Sequence, residues 1–220
     1  MSDQTTVDEL VRRAHEAQEA EYASDFVSTN AALQSLIDEV APEHQIEAGR
    51  DLLASADPRR RVLGARLLRE TYRRRAEALG LIVDALERES DDDALGWLVS
   101  AVAFVGDPSA IHVVRPFAAH PSSFVRDQAA SALSRCGAEA RSGPALDALL
   151  TLTDDPDREV RFSSLFEIAQ WWEDGCRDPR IERRLRQALT EDDPRVRRVV
   201  EEAFASTVRS PDSSAEQPDE

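Results

Sequence analysis

One helical unit recurs along the chain, and this recurrence limits the folds that the chain can adopt. The fullest copy spans residues 120–137, HPSSFVRDQAASALSRCG. Pro121 suits the first turn of a helix, where a residue needs no partner for its N–H. Apolar residues from Val125 to Cys136 follow at three- and four-residue steps, which places them on one helix face. Gly137 is typical of a residue that ends a helix, because glycine adopts the left-handed conformation cheaply. A chain built from one repeated helical unit is a scaffold, so we expect its function to depend on what it holds.

Similar segments occur at 57–70, 154–172 and 192–205. Asp-Pro pairs mark helix starts, because aspartate accepts hydrogen bonds at the N-cap and proline fits the next position. The pairs are Asp57-Pro58, Asp107-Pro108, Asp155-Pro156, Asp178-Pro179 and Asp193-Pro194. Equivalent apolar anchors are 33, 30, 35 and 36 residues apart, at Val62, Leu95, Val125, Val160 and Val196. This period is typical of solenoids of helical hairpins. The pattern predicts an all-α fold, with second helices at about 77–89, 108–119, 144–153 and 179–190.

Composition supports an all-α fold and narrows the choice of partners. The 220 residues are 41% hydrophobic but only 5% aromatic, which does not suit a protein of many short strands. The formal net charge of −16 makes nucleic acid and anionic membranes poor default partners. All 27 basic residues are arginine. The absence of lysine excludes a Schiff-base lysine, a Walker lysine and a phosphate-anchoring lysine of the kinase type.

The sequence favours a soluble, cytoplasmic protein. Its first ten residues, MSDQTTVDEL, are polar and acidic, unlike a secretory signal. The longest uncharged run, Ala94–Gly106, is too short to cross a bilayer. Two distant cysteines, Cys136 and Cys176, fit a reducing compartment better than a disulfide framework.

The N-terminal segment, residues 1–56, is strongly acidic, with 12 acidic residues and 3 arginines. Thr6 and Glu9 fit a capping box, in which the two side chains satisfy opening N–H groups reciprocally. The pattern predicts helices at about 6–23, 26–40 and 44–55.

Three regions follow from these patterns. Residues 1–56 are interpreted as a capping repeat of the same solenoid or as a lead-in arm. The repeat array itself is expected to cover 57–208. The polar, acidic segment 209–220 predicts a disordered tail.

The pattern D-P-x(n)-V-R-x-x-A-x-x-A-L resembles the inner helix of HEAT repeats, in the short form shared with phycobilisome-lyase-type proteins. The resemblance implies an α-α superhelix of about five repeats plus N-terminal helices, with the Asp-Pro helices on the concave face. It also implies that Arg126, Arg161 and Arg197 are structural rungs, which pair with acids of neighbouring repeats. It says little about function, because such arrays have many unrelated roles.

An arginine stripe is the first candidate binding surface. A helical wheel over Pro58–Arg75 places four arginines on one side: Arg59, Arg66, Arg69 and Arg73. Guanidinium groups bind carboxylates and phosphates in a bidentate manner, so the stripe is a candidate docking strip. The alternative is a solvated helix face neutralised by the acidic N-terminal segment.

Aromatic residues supply two further candidates. The helix expected over Ala94–Val105 is apolar all round, which indicates either a central core helix or an apolar patch in which Trp97 anchors a partner. Near the fourth anchor lie Phe162, Trp171 and Trp172. Adjacent tryptophans point about 100° apart on a helix, so either one contacts a partner or both close the core.

Polar clusters indicate no catalytic or metal site. The acidic runs at 91–93, 154–155 and 192–193 lack the alternating ligands and glycine of a calcium loop and fit helix N-caps. The four histidines show no zinc-ligand spacing, and His120 is expected to replace Asp at a cap position. We therefore expect no cofactor.

These features favour a non-catalytic adaptor that binds another protein, through an acidic segment of that partner, on its concave face. One alternative is a HEAT-like DNA-repair glycosylase, because that family uses tryptophan and aspartate residues, here Trp97, Trp171 and Asp91–Asp93. The net charge disfavours this alternative, because an acidic protein repels DNA. A second is a bilin lyase or chaperone, which follows from the resemblance alone. The identity of the partner and the oligomeric state do not follow from the sequence.

Overall fold

A computed structural model describes residues 2–23, 28–105, 110–136 and 141–208. Within these ranges the chain is helical and contains no strand, so the predicted all-α fold is confirmed. The helices are α1 (Ser2–Ala23), α2 (Ser28–Glu39), α3 (Pro42–Leu53), α4 (Pro58–Glu70), α5 (Arg75–Leu86), α6 (Asp92–Val105), α7 (Ile111–Val114), α8 (Ser123–Arg135), α9 (Gly143–Leu152), α10 (Arg158–Glu173), α11 (Pro179–Ala188) and α12 (Pro194–Val208). No helix in the described ranges is long and apolar enough to span a bilayer.

The helices from α4 onward form two rows. The inner row consists of α4, α6, α8, α10 and α12, which pack side by side. The second row packs against it and consists of α5, α7 with the 3-10 turn Arg115–Ala119, α9 and α11. One hydrophobic cluster runs through both rows, from Ile46 to Ala203. Each repeat thus buries its apolar face on its neighbours, as in a solenoid.

The N-terminal helices pack on the first helix of the inner row. Leu63 and Leu67 of α4 join a cluster with residues of α1, α2 and α3, while Leu68 joins the long cluster. The backbones of α3 and α4 approach closely at Gly64, where an added Cβ would lie 2.9 Å from the Cβ of Leu52. That residues 1–56 form a capping repeat stays a prediction.

Three helices of the array, α4, α11 and α12, begin at an aspartate where the Asp-Pro pattern predicts one. The N-cap carboxylates of Asp57, Asp178 and Asp193 each accept a hydrogen bond from the backbone N–H two residues ahead. At the Asp155-Pro156 pair the prediction is shifted, because the cap of α10 is Asp157. Asp107-Pro108 lies outside the described residues.

Three helix boundaries differ from the prediction. α1 begins at Ser2, so the Thr6 capping box lies inside the helix rather than at its start. α8 begins at Ser123 rather than at Pro121. The expected helix at 108–119 is short, since Pro116 lacks an N–H and the chain continues as a 3-10 turn. Gly137 and the tail 209–220 lie outside the described residues.

Arginines four residues after the N-cap tie α8, α10 and α12 of the inner row to the loops before them. Arg126 donates to both oxygens of Asp155, at 2.7 and 2.8 Å, and to the carbonyls of His120 and Pro121. Arg161 and Arg197 donate to the corresponding carbonyls before their own helices. Among the hydrogen bonds described for these arginines, only Arg126 reaches an acidic side chain of the next repeat.

A fourth arginine, Arg61, has the same role and was not predicted. It donates to both carboxylate oxygens of Glu89 and to the carbonyls of Ser55 and Ala56. In this repeat the arginine precedes Val62 instead of following it. An alignment on the valine therefore misplaces the first rung by one residue.

The intervening repeat has a leucine and a histidine in place of the ion pair. The position equivalent to Arg61 in α6 is the buried Leu95, and the position equivalent to Asp155 before α8 is His120. The Nδ1 of His120 accepts a hydrogen bond from the N–H of Ser122 at 3.2 Å, as Asp155 accepts one from Asp157 at 2.9 Å. His120 thus makes the turn hydrogen bond of Asp155, but the expected cap position is corrected, because the N-cap of α8 is Ser122.

Candidate partner-binding surface

The exposed side of the inner row, here called the inner-row surface, carries the strongest candidate site. In the described part of the chain, two large hydrophobic side chains are strongly exposed, Phe104 at 36% and Phe166 at 41%. They lie on α6 and α10, with α8 between them. The opposite sides of these helices are buried in the core, so both phenylalanines belong to the face that is left uncovered.

Arginines and aromatic rings alternate across the first three helices of this surface. The guanidinium carbon of Arg66 lies 4.9 Å from the ring centre of Trp97, and that of Arg69 lies 5.9 Å from the same ring. Arg69 also stacks on Phe104 at 3.9 Å, and Arg135 of α8 lies 4.9 Å from the same phenylalanine. We call these five residues the Arg–aromatic cluster.

A hollow of about 410 Å³ opens beside the cluster. It lies between α2, α4 and α6 and is lined by Leu33, Gln34, Ile37, Arg66, Arg69, Glu70 and Trp97. Arg66 is only 4% exposed, whereas Arg69 is half-buried and donates to Glu70 at 2.9 Å. The accessible cationic edge at this end of the surface therefore comes from Arg69 and Arg135 rather than from Arg66.

The structure separates the four arginines of the predicted stripe. Arg66 and Arg69 share Trp97, but Arg59 forms an ion pair with Glu19 of α1. For Arg59 the structure thus corresponds to the neutralised alternative. Arg73 lies beyond the end of α4 in a 3-10 turn, which corrects the expected helix over 58–75.

The apolar run at 94–105 was interpreted either as a core helix or as an apolar patch around Trp97, and the structure has features of both. Leu98, Val99 and Val102 are fully buried, so α6 is a central core helix. Trp97 is half-buried on its open side, beside the exposed Phe104.

The two tryptophans of α10 close the core. Trp171 is 3% exposed, and its Nε1 donates to the carbonyl of Ser134 at 3.3 Å. Trp172 is 7% exposed and makes an edge contact with Phe204 at 5.7 Å. The expectation that Trp171 contacts a partner is corrected, since it is not at the surface.

Phe162 and Phe166 extend the surface toward α12. Their ring centres are 6.4 Å apart, and Arg195 of α12 stacks on Phe162 at 4.5 Å. Arg195 is held by Asp193 and Glu159 at 2.7 and 2.9 Å. Arg195 is therefore paired with two carboxylates within the protein.

Two carboxyl groups lie between the phenylalanines. Ser134 of α8 donates to Glu167 of α10 at 2.6 Å. Burial raises the pKa of Glu167, and the hydrogen bond from Ser134 lowers it only in part. Burial also raises the pKa of Asp127, against a hydrogen bond with Ser163. The centre of the surface is thus acidic, whereas the end near Phe104 is cationic.

Sequence reasoning did not single out Phe104, Phe166, Arg135 or Glu167. Phe104 ends the apolar run that contains Trp97, and Phe166 follows Phe162 by one turn. These spacings place each pair on one helix face. The spacing alone could therefore have placed Phe104 beside Trp97 and Phe166 beside Phe162 on the candidate surface.

The residues considered for a glycosylase are dispersed. Asp91 caps α6 by accepting from the N–H of Ala94 at 3.0 Å, and Trp171 is in the core. Within the described ranges, no group of three or more His, Cys, Asp or Glu side chains is placed to hold a metal ion.

Residues 79–169 match the family model described as HEAT repeats. These residues are therefore similar to HEAT repeats. A search of curated proteins gives no significant match.

Solved structures show the same helical-repeat fold. The chain is similar to a structure from the CpcE–CpcF complex of phycocyanin lyase from Nostoc sp. PCC7120, with 18% identity and a TM-score of 0.59 over 74% of this chain and 99% of the other. It is also similar to YIBA of E. coli, with 13% identity and a TM-score of 0.67 over 93% and 75% of the two chains. A designed armadillo repeat protein in complex with the peptide (KR)4 shares 16% identity and a TM-score of 0.55, over 87% and 98%.

Proposed function

We propose that the protein is a non-catalytic adaptor that holds a partner protein on its inner-row surface. The Arg–aromatic cluster carries this proposal. It places two guanidinium groups, Arg69 and Arg135, beside the exposed ring of Phe104. Arginine and aromatic residues dominate binding energy at protein interfaces.

The stacking prepares these arginines for binding. A guanidinium that stacks on a ring uses its flat face and leaves its N–H edge for a carboxylate or phosphate. Its position is fixed before a partner arrives, so less side-chain entropy is lost on binding. An exposed aromatic ring next to fixed cations is therefore a suitable anchor for a partner side chain.

Related folds support a binding role. The CpcE–CpcF structure is a complex of two proteins, and the designed armadillo protein is in complex with a peptide. Their sequence identity to this chain is below 20%, so they support the use of such a fold for binding but not a particular partner.

Affinity capture from native lysate tests the adaptor. The variant Arg69→Glu/Arg135→Glu reverses two charges at the cluster, while Arg198→Glu reverses a 79% exposed side chain on α12 and serves as a matched control. We expect one protein, identified by mass spectrometry, to be retained by wild type and Arg198→Glu and lost with the double variant. Equal capture by all three proteins would contradict a site at the cluster.

The bilin-lyase alternative would use the same arginines. The hollow beside Trp97 places Arg66 and Arg69 where they could meet the propionates of a bilin. Absorbance of the purified protein after co-expression with bilin synthesis tests this alternative, because a bound bilin absorbs visible light.

We also propose that the protein acts in the cytoplasm. Within the described residues, Cys136 and Cys176 form no disulfide, which suits a reducing compartment. Cell fractionation tests this location.

A further inference from the structure

We propose that the partner binds as an extended segment with an acidic side chain at Arg69 and Arg135 and an apolar side chain about five or six residues away at Phe166. This inference rests on the proposed adaptor function and specifies the chemistry of the partner. It follows from the charges, the exposed rings and the distances along the inner-row surface.

The acidic side chain is inferred from the pair of guanidinium groups around Phe104. Arg69 approaches the ring from α4 at 3.9 Å, and Arg135 approaches it from α8 at 4.9 Å. The Nε of Arg135 donates a long hydrogen bond of 3.5 Å to the Oγ of Ser131. A carboxylate above the edge of Phe104 would therefore meet N–H donors from both sides.

The surroundings favour a single negative charge over a phosphate dianion. Arg69 already donates a hydrogen bond to Glu70, and Glu167 interacts electrostatically with Arg135. The positive charge of both arginines is thus partly balanced. The whole chain carries a net charge of −16. A dianion would meet stronger repulsion than a carboxylate, so we assign the site to aspartate or glutamate.

Phe166 is the second anchor, and its position gives the spacing. Phe104 and Phe166 lie on helices two steps apart in the inner row, and neighbouring packed helices are about 8–10 Å apart. The anchors are thus about 16–20 Å apart across the row. An extended chain rises about 3.3 Å per residue. Five or six residues therefore span the anchors.

The strip between the anchors suits an extended backbone. The helices α8 and α10 carry four half-buried polar side chains that already make hydrogen bonds within the protein and have further donors or acceptors: Gln128, Ser131, Ser163 and Gln170. An extended segment has unsatisfied N–H and C=O groups that such side chains can pair, whereas a helix satisfies its own.

The acidic pair Asp127 and Glu167 fixes the register of the segment. A second negative charge in the middle of the segment would face these carboxyl groups, so acidic residues are excluded there. The surface thus selects one acid near Phe104 and disfavours others.

Selection from a library of random twelve-residue peptides displayed on phage tests the inference. The bait is the full chain, and parallel selections use Arg135→Gln, Phe166→Ala and the control Arg198→Gln. All three change exposed residues, and thermal unfolding checks that each variant stays folded.

We expect wild type and Arg198→Gln to enrich peptides with Asp or Glu five or six residues from an apolar residue. Arg135→Gln should remove the acid preference, and Phe166→Ala should remove the apolar preference. For a synthetic peptide of the enriched class, replacing the acid with its amide should weaken binding at least fivefold, and replacing it with phosphoserine should not strengthen binding.

Three results would overturn the inference: enrichment without this spacing, enrichment unchanged in both variants, or no enrichment. Tighter binding of the phosphoserine peptide would overturn the assignment to a carboxylate. The adaptor proposal would survive any of these results if lysate capture still depended on Arg69 and Arg135.

Discussion

Removing the guanidinium of Arg126 should destabilise the solenoid more than the loss of any exposed arginine. Arg126 and Asp155 are 13% and 5% exposed and form a bidentate pair across adjacent repeats. Breaking a buried pair by removing one partner costs about 3–5 kcal/mol, because the other charge stays buried. Since Arg126 keeps some solvent contact, we expect Arg126→Met to cost about 3 kcal/mol, the lower end of that range.

Urea unfolding at pH 7 measures this loss, and a thermal scan should show a fall in Tm of about 6–12 °C for a chain of this length. The control is Arg198→Met, whose i,i+4 pair with Glu202 is 79% and 60% exposed and should cost less than about 0.5 kcal/mol. Equal losses in the two variants would refute the structural role of the rung.

The loss of unfolding free energy in Arg126→Met should also depend on pH. Arg126 lowers the pKa of Asp155 below its ordinary value of 3.8. A group with a lowered pKa stabilises the folded state above its ordinary pKa, and this contribution is lost as the pH falls through the folded-state pKa. The difference between wild type and Arg126→Met should therefore be largest near pH 7 and shrink below pH 4.

Three further substitutions test packing and electrostatics. Gly64→Ala should destabilise by about 1–3 kcal/mol in urea unfolding, because the new Cβ meets Leu52 and the backbone of α3. Gly80→Ala, in the exposed interior of α5 with no atom within 4 Å of the new Cβ, should instead stabilise by about 0.5–1 kcal/mol, and the opposite order would contradict the packing of α3 on α4. Burial raises the pKa of Glu167 above 4.5, so its ionisation opposes folding as the pH rises through that range. Glu167→Gln should therefore raise Tm at pH 7 but not at pH 4, and an equal change at both values would show that burial of the charge is not the cause.

The fold could be predicted from sequence because its signals are local. Asp57, Asp178 and Asp193 cap helices through atoms two residues away, so the pattern alone locates those starts. The 30–36-residue spacing of the anchors then identifies the repeat. The spacing of the anchors did not reveal the first rung, because Arg61 precedes Val62 whereas the other rungs follow their valines. Arg61 is identified only by counting four residues from the N-cap Asp57.

The binding surface was predictable only in part because exposure depends on neighbouring helices. Trp171 is buried by contact with the carbonyl of Ser134 on α8, which no local pattern reveals. Phe104 is exposed because it ends α6 on the side that the second row leaves open. Arg135 belongs to the cluster because it contacts the ring of Phe104. It lies on α8, two helices along the inner row from the predicted stripe on α4.

The most direct test of the account is site-specific photo-crosslinking in cells. A photoreactive phenylalanine analogue replaces Phe104 on the inner-row surface or, as a control, the exposed Arg183 of α11 in the second row. The account predicts that position 104 forms a crosslink to one partner protein, and that the added change Arg135→Gln reduces its yield while position 183 forms none. A partner that crosslinks equally at both positions, or only at 183, would show that the inner-row surface is not where this protein binds.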